Sequence, residues 1–168
     1  SKIKKLIKNI KLNNIDNIFV SAPENVAWLL NLRGKDNPNS PIPNSKLILT
    51  KKGKIYFFSC QKKISKMKKH KDYKKIFYST YNNFSKIIKS LDGRNFCIDK
   101  TTCSIFNEKI IKLFFNIKSS TDPCYLMKSI KNKIEIKHMV NAHIKDGVAL
   151  TKFIYWIKHV NKNKITEI

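Results

Sequence analysis

Four side chains in the last third of the chain are of types that could do chemistry together: Glu135, His138, His143 and Asp146. They fall in a stretch with helical hydrophobic spacing, and carboxylates with imidazoles one turn apart are a common way for a helix to offer ligands to a divalent cation. On a wheel of 3.6 residues per turn, Glu135 and His143 lie about 80° apart while His138 points elsewhere, so no i, i+4 ligand pair results. His143 also falls in the middle of an apolar stripe, where an imidazole is more often a hydrogen-bonded core residue than a ligand. Asp146 is expected to pair with a neighbouring lysine or a facing segment. The spacing does not supply a metal site.

Arg33 is the next candidate. The chain has 35 basic residues, yet only Arg33 and Arg94 are arginine. A position that takes arginine where lysine is the rule can need the planar bidentate fork. Arg33-Gly34 stands beside a proline-rich loop and could grip a carboxylate or a backbone carbonyl across a domain interface. The plainer alternative is a surface or inter-element salt bridge. Cys60, Cys97, Cys103 and Cys124 form no CxxC pair and no zinc spacing with histidine, so reduced thiols buried as small hydrophobes are expected. The chain has no glycine-rich phosphate loop, no G-x-S-x-G elbow and no H-E-x-x-H.

Composition bounds the class. The 168 residues are 42% hydrophobic and 11% aromatic with four Gly and five Pro, which excludes collagen-like and disordered chains. Apolar runs are far shorter than the roughly 18 residues that cross a bilayer, and the lysine-studded start builds no leader h-region, so a cytoplasmic protein without membrane contact is expected. The formal charge of +24 is a weak clue. The chain also carries 25 Ile and 18 Asn, the excess that AAA, ATT and AAT codons would produce in an AT-rich genome. Its lysines scatter through every segment, so no specific nucleic-acid partner is expected; a nucleic-acid module would have to show steep salt dependence.

The elements that must position these residues follow from periodicity. Ile3, Leu6, Ile7 and Ile10 make an amphipathic helix, and Ile18–Ala22 reads as a buried strand. Ser21 with Glu24 has capping-box spacing for a helix through Trp28 to about Asn31, with Gly34 at its stop. Lys35–Ser45 holds three prolines and three asparagines and reads as a loop. A hairpin around Lys52-Gly53 follows, then a helix over Gln61–Lys71, a strand over Lys74–Thr80 and a helix over Asn82–Leu91. After an Asp92-Gly93 turn come a strand at Asn95–Asp99 and a helix capped by Thr101 or Thr102, including Ile105, Phe106, Ile110, Ile111 and Phe114. This alternation is an α/β layered pattern. A long helix from near Asn132 to near Val160 carries Ile136, Met139, Val140, His143, Gly147, Leu150, Ile154 and Ile157 in one stripe. Trp28 and Trp156 are expected to pack on helical apolar faces. A further helix start at Thr166-Glu167, just before Ile168, reads as a chain interrupted within a domain.

Two stretches carry a family resemblance. Glu24–Leu49, ENVAWLLNLRGKDNPNSPIPNSKLIL, resembles the E-I-A-W-L-L-N-L-R-G-x-D…N-P-V…S-Y-x-I-V segment of three-domain Xaa-Pro aminopeptidases (aminopeptidase P) of the creatinase/prolidase superfamily. Asp122–Ile168 is similar to that family's segment running from K-A-x-K-N through A-H-I-x-D-G-x-A-L to T-E-I, and Phe96–Thr102 to its strand ending in Asp. Departures are local: the loop lacks the family's aromatic pair, Lys46 stands for Tyr, and Val140 for Arg.

The resemblance implies a mixed sheet flanked by helices over residues 1–121, the creatinase/prolidase N-terminal-like domain. Residues 122–168 would be the first helices of a truncated catalytic pita-bread domain, opened by the long helix. It implies a metal-dependent aminopeptidase that releases a residue preceding proline, with two divalent ions, typically manganese, held by two Asp, one His and two Glu. In relatives these ligands all lie beyond the T-E-I segment, so this piece is expected to carry no metal and no catalytic residue, and to be inactive alone. Its role would be interdomain packing and control of access to the cleft, with Arg33 as the substrate-binding candidate. A proline-containing peptide is the implied partner, and a homodimer is an assembly the family allows. A non-catalytic creatinase-like binding protein and a prolidase- or creatinase-type activity are the alternatives.

Overall fold

The computed structural model describes residues 1–69 and 76–160. The expected end of the third helix, the start of the fourth strand and the Thr166-Glu167 helix start lie outside them. The chain divides into two compact units, Ser1–Lys128 and Ser129–Ile168.

The first unit is a six-stranded sheet in the order β4-β3-β2-β1-β5-β6. Its strands are β1 (Asn17–Val20), β2 (Lys46–Thr50), β3 (Ile55–Phe58), β4 (Ile76–Ser79), β5 (Asn95–Ile98) and β6 (Asn116–Ser119). Only β2 runs against its neighbours; β1/β5, β3/β4 and β5/β6 are parallel. Helices cover both faces, so the central strands are apolar on alternate and intervening positions alike. Ile18, Val20, Leu47, Leu49, Phe57 and Cys97 meet α1 (Lys2–Leu12), α2 (Pro23–Leu30) and α6 (Pro123–Ser129) on one face. Phe19, Ile48, Phe58, Phe96 and Ile98 meet α4 (Phe84–Lys89) and α5 (Ile105–Lys112) on the other. The expected mixed α/β sheet is the fold observed.

The α1 stripe holds, with Leu6 and Ile10 fully buried and Ile3 and Ile7 packed beside them. The hairpin turn also holds: Gly53 takes φ +85°, and its N–H reaches the Thr50 carbonyl at 2.8 Å. Four local expectations are corrected. Ala22, not Ser21, is the N-cap of α2, and no side chain caps it. Ser21 lies one residue too early and spends its hydroxyl on Thr102 at 2.7 Å. The helix ends at Asn31 as expected, but Asn31 itself takes the left-handed conformation (φ +54°) that stops it, so Gly34 is not the stop. The cap of α5 is Ser104, whose Oγ accepts from Asn107 N at 3.3 Å, because Thr101 instead donates to Asp99. Of the α5 stripe only Ile111 is fully buried, while Ile105 and Phe106 stand exposed.

Strand β6 was not expected. Its sequence, Asn-Ile-Lys-Ser, has almost no apolar signal because it is an exposed edge, specified by its ladder with β5. Residues 122–128, read from the sequence with the second segment, pack in the first unit, where Cys124 is fully buried. Lys46, where the family has Tyr, holds its ammonium 5.4 Å from the Tyr81 ring. Trp28 is half-buried under the Lys2 ammonium, 4.4 Å from the ring centroid.

In the second unit, α7 (Lys133–His159) begins and ends within a residue of expectation. Asn132 accepts from the Ile134 and Glu135 N–H groups, both at 2.9 Å, while Glu135 accepts from Asn132 N at 2.8 Å. That reciprocal capping box sets the start of the helix.

Candidate functional site

The αL turn at Asn31 redirects the chain so that Leu32 is buried against the sheet and Arg33 emerges to solvent. Gly34 then passes so close to Pro43 that an added Cβ would sit 2.6 Å from the proline Cβ. Its N–H donates to the Pro41 carbonyl at 3.0 Å, which folds the 35–45 loop back on itself. Glycine is required by this approach, not by a helix stop. Asp36 anchors the loop, accepting from Asn44 N at 2.5 Å and pairing with Lys63 of α3 (Gln61–Lys68). The Lys63 ammonium, and then the Asn44 N–H, hold the Asp36 carboxyl below its usual range.

Between loop and α3 lies a cleft of about 570 Å³. Its rim carries Arg33, Lys35, Lys62 and Lys66; Phe57 and Met67 lie among its apolar lining residues. The Arg33 Nη1 donates to the Leu32 carbonyl at 2.9 Å and the guanidinium makes no ion pair among the described residues. Cys60, at the N-terminus of α3, is exposed in the same cleft, against the expectation of four buried thiols. The other three are buried; burial pushes the Cys103 thiol up to about 11 and raises Cys97 and Cys124 as well. Such thiols are poor nucleophiles.

The crevice at the carboxyl ends of β1 and β5 is where the connections diverge to opposite sides of the sheet, the usual place for a ligand in α/β folds. Here protein fills it. Asp99 accepts from Thr101 Oγ1 at 2.6 Å and from Asp122 N at 2.8 Å. Asp122 in turn accepts from Asn25 Nδ2 at 2.8 Å, and Asn25 Oδ1 accepts from Lys128 at 2.6 Å. Burial would raise the Asp99 carboxyl, but the Thr101 hydroxyl and the Asp122 and Thr101 N–H groups hold it below its usual value. Tyr125 donates to Glu24 at 2.9 Å, and burial together with that carboxylate pushes its phenol up to about 12. This network, which ties α6 to α2, escaped sequence reasoning; the one local hint was the density of polar residues at Asp99 and Asp122.

On α7, Glu135 is engaged in the capping box, and His138, His143 and Asp146 are exposed. The helix has no buried residue, so His143 is not the core histidine expected. Asp146 makes no ion pair among the described residues. Among those residues no three His, Cys, Asp or Glu converge, so the donors present do not fit a two-metal centre.

The sequence profile of the family described as Creatinase/Prolidase N-terminal domain matches residues 1–135. Xaa-Pro aminopeptidase 1 of Dictyostelium discoideum is 32% identical over 160 residues, which cover 94% of this chain and 25% of that protein. Among solved structures, the X-prolyl aminopeptidase of Caenorhabditis elegans, described as a cytosolic enzyme with a di-nuclear active site, matches with a TM-score of 0.76 at 24% identity, over 94% of this chain and 26% of that one. A Creatine_N superfamily domain of a dipeptidase from Streptococcus thermophilus matches with a TM-score of 0.55 at 15% identity, over 77% of this chain and 98% of that domain. The chain thus spans about a quarter of the length of the aminopeptidases it matches. Among the described residues no helix is long and apolar enough to cross a membrane.

Proposed function

We propose that this chain, which belongs to the Creatinase/Prolidase N-terminal domain family, is the accessory part of a metal-dependent aminopeptidase that removes an N-terminal residue preceding proline. The observation that carries the reading is the 32% identity to an Xaa-Pro aminopeptidase along 94% of the chain. In this reading the unit through Lys128 is the accessory domain, and the segment from Ser129 opens the catalytic domain. Two divalent ions, manganese by preference, would be held by residues of the whole protein outside this chain. They would activate water and polarise the scissile carbonyl. The parent would be cytoplasmic and act on proline-containing peptides, with a homodimer as its assembly.

What the described residues supply is framework and access. The usual ligand crevice is filled by the Asp99–Asp122–Asn25 network, which supports a role in packing rather than in chemistry. Arg33, exposed and free of a carboxylate partner among the described residues, is the proposed substrate-binding residue; it would limit which peptides enter the catalytic cleft of the whole protein.

The test is hydrolysis of an Xaa-Pro peptide by the full-length protein with and without Mn²⁺, with the 168-residue chain run beside it. Metal-dependent release of the first residue by the former and none by the latter is expected. A folded, metal-loaded full-length protein without turnover would overturn the reading in favour of a non-catalytic homologue. Arg33→Ala is expected to raise KM; unchanged KM and kcat would remove Arg33 from the site.

A further inference from the structure

We infer that the cleft between the 35–45 loop and α3 is a docking site for an acidic peptide segment carrying an apolar side chain. This goes beyond the reading above: it shares Arg33 with it but needs no hydrolysis, metal or catalytic domain.

Charge complementarity selects the partner. Five of the twelve residues lining the cleft are cationic, against 35 basic residues in the whole chain of 168, so the concentration is about twice the background. Among the described residues one of the five is paired with a carboxylate, Lys63 with Asp36. Arg33, Lys35, Lys62 and Lys66 make no ion pair among the described residues, and all four are exposed. Like charges crowded on one rim repel one another, a cost that bound carboxylates remove. The Asp36 anchor holds the loop edge in place, so the cleft exists before anything binds.

The lining decides between classes of polyanion. A volume of about 570 Å³ suits a few side chains. The apolar part includes Met67, a flexible thioether that adapts to an aliphatic or aromatic guest. Single-stranded nucleic acid binds instead through exposed aromatic rings on which bases stack. Among the described lining residues the one aromatic, Phe57, is 1% exposed and offers no such face. Carboxylates with an apolar residue between them match what is present.

Cys60 supplies a reporter, being the one exposed thiol of the four and part of the cleft lining. The test measures iodoacetamide alkylation of Cys60, located by peptide mass spectrometry, in the 168-residue chain. The probe is the capped peptide acetyl-Glu-Glu-Phe-Glu-Glu-amide. Saturable slowing of alkylation by about fivefold or more is expected, weakening as salt is raised past the Debye screening range. The same peptide with alanine for phenylalanine should protect less, and the lysine counterpart not at all. Combined Lys35→Gln, Lys62→Gln and Lys66→Gln substitutions, all at exposed positions, should abolish protection. Equal protection by an oligo-dT of the same charge would overturn the peptide assignment, and so would protection that survives the triple substitution. Absence of any protection in the unmodified chain would overturn it too, whatever the full-length protein does to Xaa-Pro peptides.

Discussion

Replacing Asp16 with asparagine should unfasten one end of the sheet in a pH-dependent way. Asp16 Oδ2 accepts from the backbone N–H groups of Arg94 at 2.7 Å and Asn95 at 2.9 Å, and Oδ1 pairs with Lys51 beyond β2. One carboxylate therefore joins the entries of β1 and β5 to the β2–β3 hairpin. The Asn95 N–H above all, and then Lys51, hold its carboxyl down at about 2 from an ordinary 3.8. At full strength that difference corresponds to about 2 kcal/mol. The Lys51 side chain is 48% exposed and its share is screened by water, which leaves about 1–2 kcal/mol. Because the folded value is the lower one, this stability is present in full above pH 4. It is lost as pH falls from about 4 through about 2. Urea unfolding followed through Trp28, in a Trp156→Phe background, should place the Asp16→Asn midpoint about 0.5–1 M lower at pH 7. The gap should narrow towards zero near pH 2. A difference below about 0.5 kcal/mol at pH 7, or one that stays constant down to pH 2.5, would refute the argument.

Gly34→Ala should cost about 1–3 kcal/mol, since the new methyl meets Pro43 Cβ at 2.6 Å and its Cα at 2.7 Å; faster proteolysis of the 35–45 loop would accompany the loss, and unchanged cleavage would count against it. A thiol titration with a disulfide reagent at pH 8 should find one fast group, Cys60, and three that react only on unfolding, since burial raises Cys97, Cys103 and Cys124. Fast reaction of a second thiol in the folded protein would contradict that burial.

Where a residue's partners are its neighbours in sequence, the sequence by itself determined the outcome. The i, i+3, i+4 spacing of Ile3, Leu6, Ile7 and Ile10 records which side of α1 is buried, because a helix places those side chains on one face whatever it packs against. Lys52-Gly53 and Asp92-Gly93 mark turns through the positive φ that both glycines adopt. The family strings around Arg33 and His143 identified the fold, although not what those two residues touch. Tertiary structure alone decided the rest. Ser21 and Glu24 have the spacing of a local cap, yet their partners are Thr102 and Tyr125, 81 and 101 residues away. Gly34 looked like a helix stop, but Pro43 explains it. β6 has no periodicity of its own, and the filling of the β1/β5 crevice depends on Asp122 meeting Asn25, 97 residues apart. The cationic cleft likewise appears only when Arg33 is brought beside Lys62 and Lys66. A sequence states periodicity and backbone freedom directly, whereas the partner of a polar side chain is chosen by whatever the fold carries to within 3 Å.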